Sequence, residues 1–234
     1  MLSAIAIVPS APVLVPELAG GAAAEVADLA AAVVAAAAVL PPRWIVVGTG
    51  SEDVVVSPES TGTFAGFGVD VRVWLAPQGG AAQVRDETPT EMPLCALMAG
   101  WIRGQARPDA TVQVRAYASS HDPAAALDRG RRLRAEIDRD SGAIGVLVVA
   151  DGVKTLTPSA PGGYDPASAD LQRMLDDALA AGDVDALTRL PDRVVGRVAL
   201  MVLAGLTEPG PRSAKELYRG APYGVGYFAG VWQP

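Results

Sequence analysis

Residues 144–150 read IGVLVVA, seven residues without a single polar side chain. An unbroken apolar run of this length is the pattern of a strand covered on both faces. Two more runs share that character: residues 4–8 (AIAIV), which end at Pro9, and residues 44–47 (WIVV), which end at Gly48. Strands buried on both faces belong to parallel sheets, so these three are expected as neighbouring or near-neighbouring core strands.

Working outward, the chain alternates such runs with longer alanine-rich ones. Residues 22–40 read as a helix stopped by Pro41 and Pro42. Residues 69–75 alternate Val69, Val71 and Val73 with Asp70, Arg72 and Trp74, the pattern of a half-buried strand. A helix is expected at 93–104 and a strand at 111–118. Residues 122–140 read as a helix with Asp122 as its N-cap and Pro123 in its first turn. A loop rich in Pro and Gly (Pro158, Pro161, Gly162, Gly163, Pro166) precedes expected helices at 167–181, 184–189 and about 194–206. A last strand is expected over about 225–232. This alternation predicts an α/β fold: a mainly parallel central sheet with helices on both faces. No repeat or linker divides residues 1–234, so a single domain is expected.

The formal charge is -7. The dense basic cluster, Arg129, Arg131, Arg132 and Arg134, is interleaved with Asp128, Glu136 and Asp138, which reads as a solvated helix face. No nucleic-acid partner is expected. The single cysteine, Cys95, sits in an apolar run and reads as a buried helix residue; no disulfide can form within the chain, which fits a reducing compartment. No basic segment precedes the first apolar run, and Pro9, Pro12 and Pro16 interrupt it, so no signal peptide and a cytoplasmic location are expected. Residues 22–40 are mostly alanine and carry Glu25 and Asp28, which reads as a packed helix and not a membrane span.

In open parallel sheets ligands sit beyond the carboxyl ends of the strands. That rule selects Pro9–Ser10, Gly48–Ser51, Ser119–His121 and Asp151–Lys154, each a small or polar tip directly after an apolar run. Polar residues also simply mark where strands end, but four such tips together suggest a cleft. His121, the only histidine, reads either as a helix-entry residue with a local hydrogen bond or as a proton shuttle. Lys154, one of two lysines, is either solvated or a base or anion-binding charge. Asp151 is a turn residue or a partner for Lys154. Gly48–Ser51 (GTGS) could offer backbone N–H groups to an anion but lacks the spacing of a P-loop or dinucleotide fingerprint. Tyr164 and Asp165 read as loop-shaping residues, and Gly224 and Gly226 as allowing close backbone approach before the last strand.

Four segments resemble a known family. AIVPSAPVLVPEL (6–18), WIVVGTG (44–50), VVADGVKTLTPSAPGGYDP (148–166) and YRGAPYGVGYFAG (218–230) are similar, in the same order, to segments of the LigB-like class III extradiol ring-cleavage dioxygenases. The resemblance spans nearly the whole chain, and it is closest to a diverged actinobacterial branch. It implies a LigB-like fold with a cleft at the strand tips. Active members hold a non-haem iron with two histidines and a glutamate, use another histidine as acid/base, and open catechol rings with O2. Carried over, the first ligand falls on Ser10, the second near Thr49, the acid/base on Lys154 and the carboxylate near Arg219. One histidine cannot supply two imidazoles to a site within one protomer. No metal or cofactor is therefore expected.

Three readings follow. The first is a metal-free relative that binds a small anionic or phenolic molecule, as a binding protein or a non-redox enzyme. Lys154, Asp151 and His121 are its candidate reactive groups, and Ser10, Thr49, Ser51 and Arg219 its candidate ligand contacts. The second is a non-catalytic interaction or scaffold protein, a role that a homo-oligomer would fit. The third is an extradiol dioxygenase, for which the ligands are missing.

Overall fold

The computed structural model describes residues 1–78 and 88–234. Its centre is a sheet of seven strands among the described residues, in the order β3-β6-β2-β7-β1-β9-β8. Strands β1 (Leu2–Val8), β2 (Arg43–Gly50), β6 (Thr111–Ala118) and β7 (Ile144–Val149) form a contiguous parallel core. The apolar runs named above fall on adjacent strands, in the order β2, β7, β1. Every residue of β7 is buried, which is why its sequence shows no alternation.

Antiparallel strands complete the sheet: β3 (Val54–Val56) on β6, β9 (Tyr227–Gln233) on β1, and β8 (Ser213–Gly220) on β9. The sheet is thus mixed and mostly parallel. Residues 69–75 contribute less than expected: only β5 (Arg72–Trp74) is a strand, and it pairs with β4 (Thr61–Thr63) in a separate two-stranded sheet. The hairpin between these two strands is occupied by a helical turn at Phe64–Phe67. The end of this stretch still reaches the main sheet, where Leu75 O accepts Val112 N–H at 2.7 Å.

Helices cover both faces. On one lie α2 (Ala27–Ala38) and α3 (Leu94–Ala106), which bury Leu29, Val33, Met98 and Ile102 against the sheet. The segment Pro16–Ala38 is long and apolar enough to cross a membrane by length and composition. It is not one continuous helix: α1 (Pro16–Ala19) gives way at Gly20 (φ 54°) to a tighter 3-10 stretch before α2 begins. On the other face lie α4 (Pro123–Arg139), α5 (Ser168–Ala181), the short α6 (Val184–Leu187) and α7 (Arg197–Thr207). Asp122 caps α4, its side chain accepting Ala125 N–H at 2.8 Å, with Pro123 following. The arginines of α4 are tied to carboxylates, Arg132 to Asp128 and Arg134 to Asp138 at i,i+4 spacing and Arg131 to Glu208.

Helix α7 is buried from Val198 through Thr207. It packs against α4 at backbone distance: a methyl group on Gly130 would lie 2.2 Å from Val202 O, and one on Gly205 2.1 Å from Leu127 O. Two glycines facing each other therefore bring both helices within reach of the sheet. Cys95 is a core residue of α3, and burial pushes its thiol up to about 12.

Candidate functional site

The parallel core directs the ends of β1, β2, β6 and β7 to one rim of the sheet. The strand β9, running the other way, begins at the same rim. There the chain after β7 is held by main-chain bonds on two sides. Gly152 N–H donates to Gly226 O and Gly226 N–H to Val153 O, both at 2.8 Å; Val195 and Gly196 donate to Gly152 O and Asp151 O. Gln172 of α5 completes the joint, accepting Val153 N–H at 2.9 Å and donating to Asp176 at 2.8 Å. A methyl group on Gly226 would lie 2.0 Å from Gln172 Oε1, and one on Gly152 2.1 Å from it. The close approach expected of Gly226 is realised, against a side chain as well as a backbone.

On the α4/α7 side of this joint lies an open cleft of about 620 Å3. Ser119 and Ser120 from the β6 tip, Lys154 and Thr155 from the loop after β7, and Arg193 and Arg197 from the approach to α7 line it, with Asp165 and Asp192 at its border. Arg193 pairs with Asp165, and Arg197 with Asp192 at 3.1 Å. Lys154 is exposed and its ammonium has no ion-pair or hydrogen-bond partner among the described residues. Three cations thus meet two carboxylates, and the uncompensated charge is Lys154.

His121 stands beside this cleft and is firmly oriented, which its sequence neighbourhood does not reveal. Its Nε2 lies 2.6 Å from Asp53 Oδ1, and its carbonyl accepts from Arg197 at 3.1 Å. Asp53 also accepts Ala118 N–H at 2.8 Å and pairs with Arg129 at 2.6 Å. Partial burial works against the Asp53 charge, but Ala118, His121 and Arg129 together hold its carboxyl below the usual range. Arg129 also lies 3.1 Å from Nε2; since Nε2 carries the proton shared with Asp53, Arg129 serves the carboxylate and not the ring. Arg129 further stacks over Tyr117, its guanidinium carbon 5.6 Å from the ring centre.

Asp151 lies elsewhere. Its Oδ1 accepts Ser10 N–H at 2.8 Å, so the β1 and β7 tips do meet, through the Ser10 backbone. Burial pushes its carboxyl up to about 6, and no lysine offsets this. Asp151 and Lys154 form no ion pair, contrary to one of the two expectations for Asp151. The charge of Asp151 acts instead on Tyr227, which packs in the layer of α2 and α3. Thr49 is half-buried opposite Tyr117 in the β2–β6 register. Ser51 is exposed on a separate depression lined by Glu52, Glu91 and Pro93. Arg219 does not line the cleft; on β8 it pairs with Asp177 at 2.7 Å and with Glu216.

The rim therefore unites Ser10 with Asp151, and Lys154 with the Ser119–Ser120 tip. Sequence reading did not single out Arg193 and Arg197, which line the cleft, nor Asp53 and Arg129, which hold His121 beside it and line a separate concavity with Arg115 and Tyr117. Arg197 follows Gly196 at a helix start, a weak signal. Asp53 and Arg129 reach His121 only through the β3–β6 pairing and the first turns of α4. Among the described residues, no three His, Cys, Asp or Glu side chains come together to hold a metal ion.

No family model matches the chain, and no curated protein is similar to it. Among solved structures it is similar in fold to the uncharacterized protein JW3007 from Escherichia coli K12. The TM-score is 0.59 at 13% identity, over 98% of this chain and 99% of that one. This similarity supports the α/β architecture and goes no further.

Proposed function

We propose that the protein is a metal-free binder of a small anionic molecule, with the cleft between the β6 tip and the loop after β7 as its site. The observation that carries this reading is the unpaired Lys154 in an open cleft where every other cation has a carboxylate. An anion there gains the Lys154 charge and the hydroxyls of Ser119 and Ser120 without breaking an existing pair, while the Thr155 hydroxyl is held by Ser168 at 2.7 Å. Arg193 and Arg197, held by their carboxylates, shape the wall. The cleft volume is that of a small-molecule site.

The reading is compatible with a diverged LigB-like ancestry, and it assigns no iron chemistry. The positions that would carry ligands hold Ser10, Thr49 and Arg219, and Lys154 stands where an acid/base would be. Hydroxyls and cations do not suit a dication that must activate O2. His121 does not line the cleft; with its Nε2 held by Asp53 it supports the β6 tip beside it.

Calorimetric titration with benzoate, salicylate and phenyl phosphate tests this. Saturable binding of at least one, weakened about tenfold or more in Lys154→Met, is the expected result. Equal binding by both proteins, or none to any anion, contradicts it. Stoichiometric iron with catechol-dependent oxygen uptake would replace it with the dioxygenase reading.

A further inference from the structure

On the other side of the rim joint lies a second concavity, of about 500 Å3. It is built from different parts of the chain. Pro12, Val13 and Leu18 come from the turns after β1, Phe67 from the hairpin between β4 and β5, and Val225 and Tyr227 from the start of β9. Val225 and Tyr227 belong to the core layer of α2 and α3, whereas Val194 and Val198 of the anion cleft belong to the layer of α4 and α7. The two cavities share no lining residue.

The walls of this groove are mostly apolar, and their polar side-chain atoms are the hydroxyls of two tyrosines, Tyr223 and Tyr227. Tyr227 is only 6% exposed, and its hydroxyl has no hydrogen-bond partner among the described residues. The ring is buried while the hydroxyl opens into the groove, so the donor is free to bind an acceptor placed there. The neighbouring tyrosine is already engaged: Tyr223 donates to Glu25 at 3.0 Å. Burial, and then the nearby Asp151, push the Tyr227 phenol above its ordinary value. It therefore stays protonated at neutral pH and acts as a donor. The charged groups in reach, Asp151 and Glu25, are acidic and oppose an anion here.

We propose that this groove binds a small, uncharged aromatic compound bearing a carbonyl-type acceptor, with the Tyr227 hydroxyl as the donor to that acceptor. The aromatic body lies against Val13, Leu18, Phe67 and Val225, where apolar contact without competing polar groups favours it. The site is independent of the anion cleft, and either can fail without the other.

The uncharged ketone dye Prodan is the probe, because its emission moves to the red when its carbonyl accepts a hydrogen bond. Saturable binding at one site per chain is expected for the intact protein and for Lys154→Met. Tyr227→Phe weakens it about tenfold, the loss of one hydrogen bond, and shifts the bound emission to the blue. Val13→Trp fills the groove and removes binding. If circular dichroism shows that Val13→Trp does not fold, Leu18→Trp takes its place. Absence of saturable binding, or binding unchanged by both Tyr227→Phe and the groove-filling variant, overturns the proposal. Binding lost in Lys154→Met but retained in Val13→Trp also overturns it, since the dye would then occupy the anion cleft.

Discussion

The two sides of the sheet's carboxyl rim are built from different segments of the chain and offer opposite chemistry. On the α4/α7 side the rim presents Lys154, Arg193 and Arg197 around an open cleft. On the α2/α3 side it presents prolines, valines and a buried tyrosine, with a carboxyl pushed up to about 6 behind them. The divide is the short stretch Asp151–Lys154, clamped between β9, α5 and the start of α7. Within four residues the chain passes from a half-buried acid to an exposed base. A single segment after the central strand serves two environments because main-chain bonds to Gly226, Val195 and Gly196 fix it between them.

Breaking the divide itself should have the largest effect. Gly226→Ala forces its methyl group onto Gln172, which must abandon Val153 N–H and Asp176. A loss of about 2–3 kcal/mol is expected in urea unfolding, from overpacking and an orphaned buried donor.

The buried carboxyls at the divide are tested by pH. Asp151 and Asp176 are both pushed up to about 6 by burial, from an ordinary 3.8. Between about pH 4 and 6 the folded chain therefore holds protons that the unfolded chain has released. These two carboxyls contribute their stability in full below about 4, and it is lost as pH rises through 6. Asp151→Asn removes its share, so unfolding measured at pH 4.5 and 7 should show a shallower decline. At pH 7 the variant should gain about 2 kcal/mol. An unchanged slope would mean that the Asp151 carboxyl is solvated.

The basic half rests on the orientation of its border residues. Asp53→Ala deletes the partner of Ala118 N–H, His121 and Arg129 at once. About 1–2 kcal/mol of stability should be lost, with weaker anion binding because Ser119 and Ser120 follow directly on Ala118. The smallest effect on stability belongs to Lys154→Met. An exposed side chain without a partner should change unfolding by less than about 0.5 kcal/mol, while anion affinity falls.

Much of this scaffold is legible in the sequence. The apolar runs at 4–8, 44–47 and 144–150 identify three strands because burial on both faces leaves no room for polar residues. Asp122–Pro123 fixes the start of α4 through local hydrogen bonding. The edge strands are not legible. SAKELYRG at β8 carries helix-compatible polar residues and is half-exposed, so neither composition nor period separates it from a helix or loop. β3 is three residues long. The strand-tip rule selects Ser119–Ser120 and Lys154, which line one cleft, because it follows from sheet geometry. It does not show which side of the rim each tip serves. Lys154 and Asp151 are three residues apart in sequence, yet main-chain bonds from Gly226, Val195 and Gly196 decide where the intervening segment lies. Arg219 sits at a resembling segment, but its guanidinium is engaged by α5 and β8 carboxylates that only the folded chain brings near.

The most direct test of the anion-binding claim is amide chemical-shift mapping of the labelled protein during titration with the best-binding anion of the calorimetric panel. The account predicts shifts concentrated at Ser119, Ser120, Lys154, Thr155 and Val195, absent in Lys154→Met, with Val13 and Val225 unmoved. Shifts centred on Val13 and Val225, or a Lys154→Met pattern identical to that of the parent protein, would contradict it.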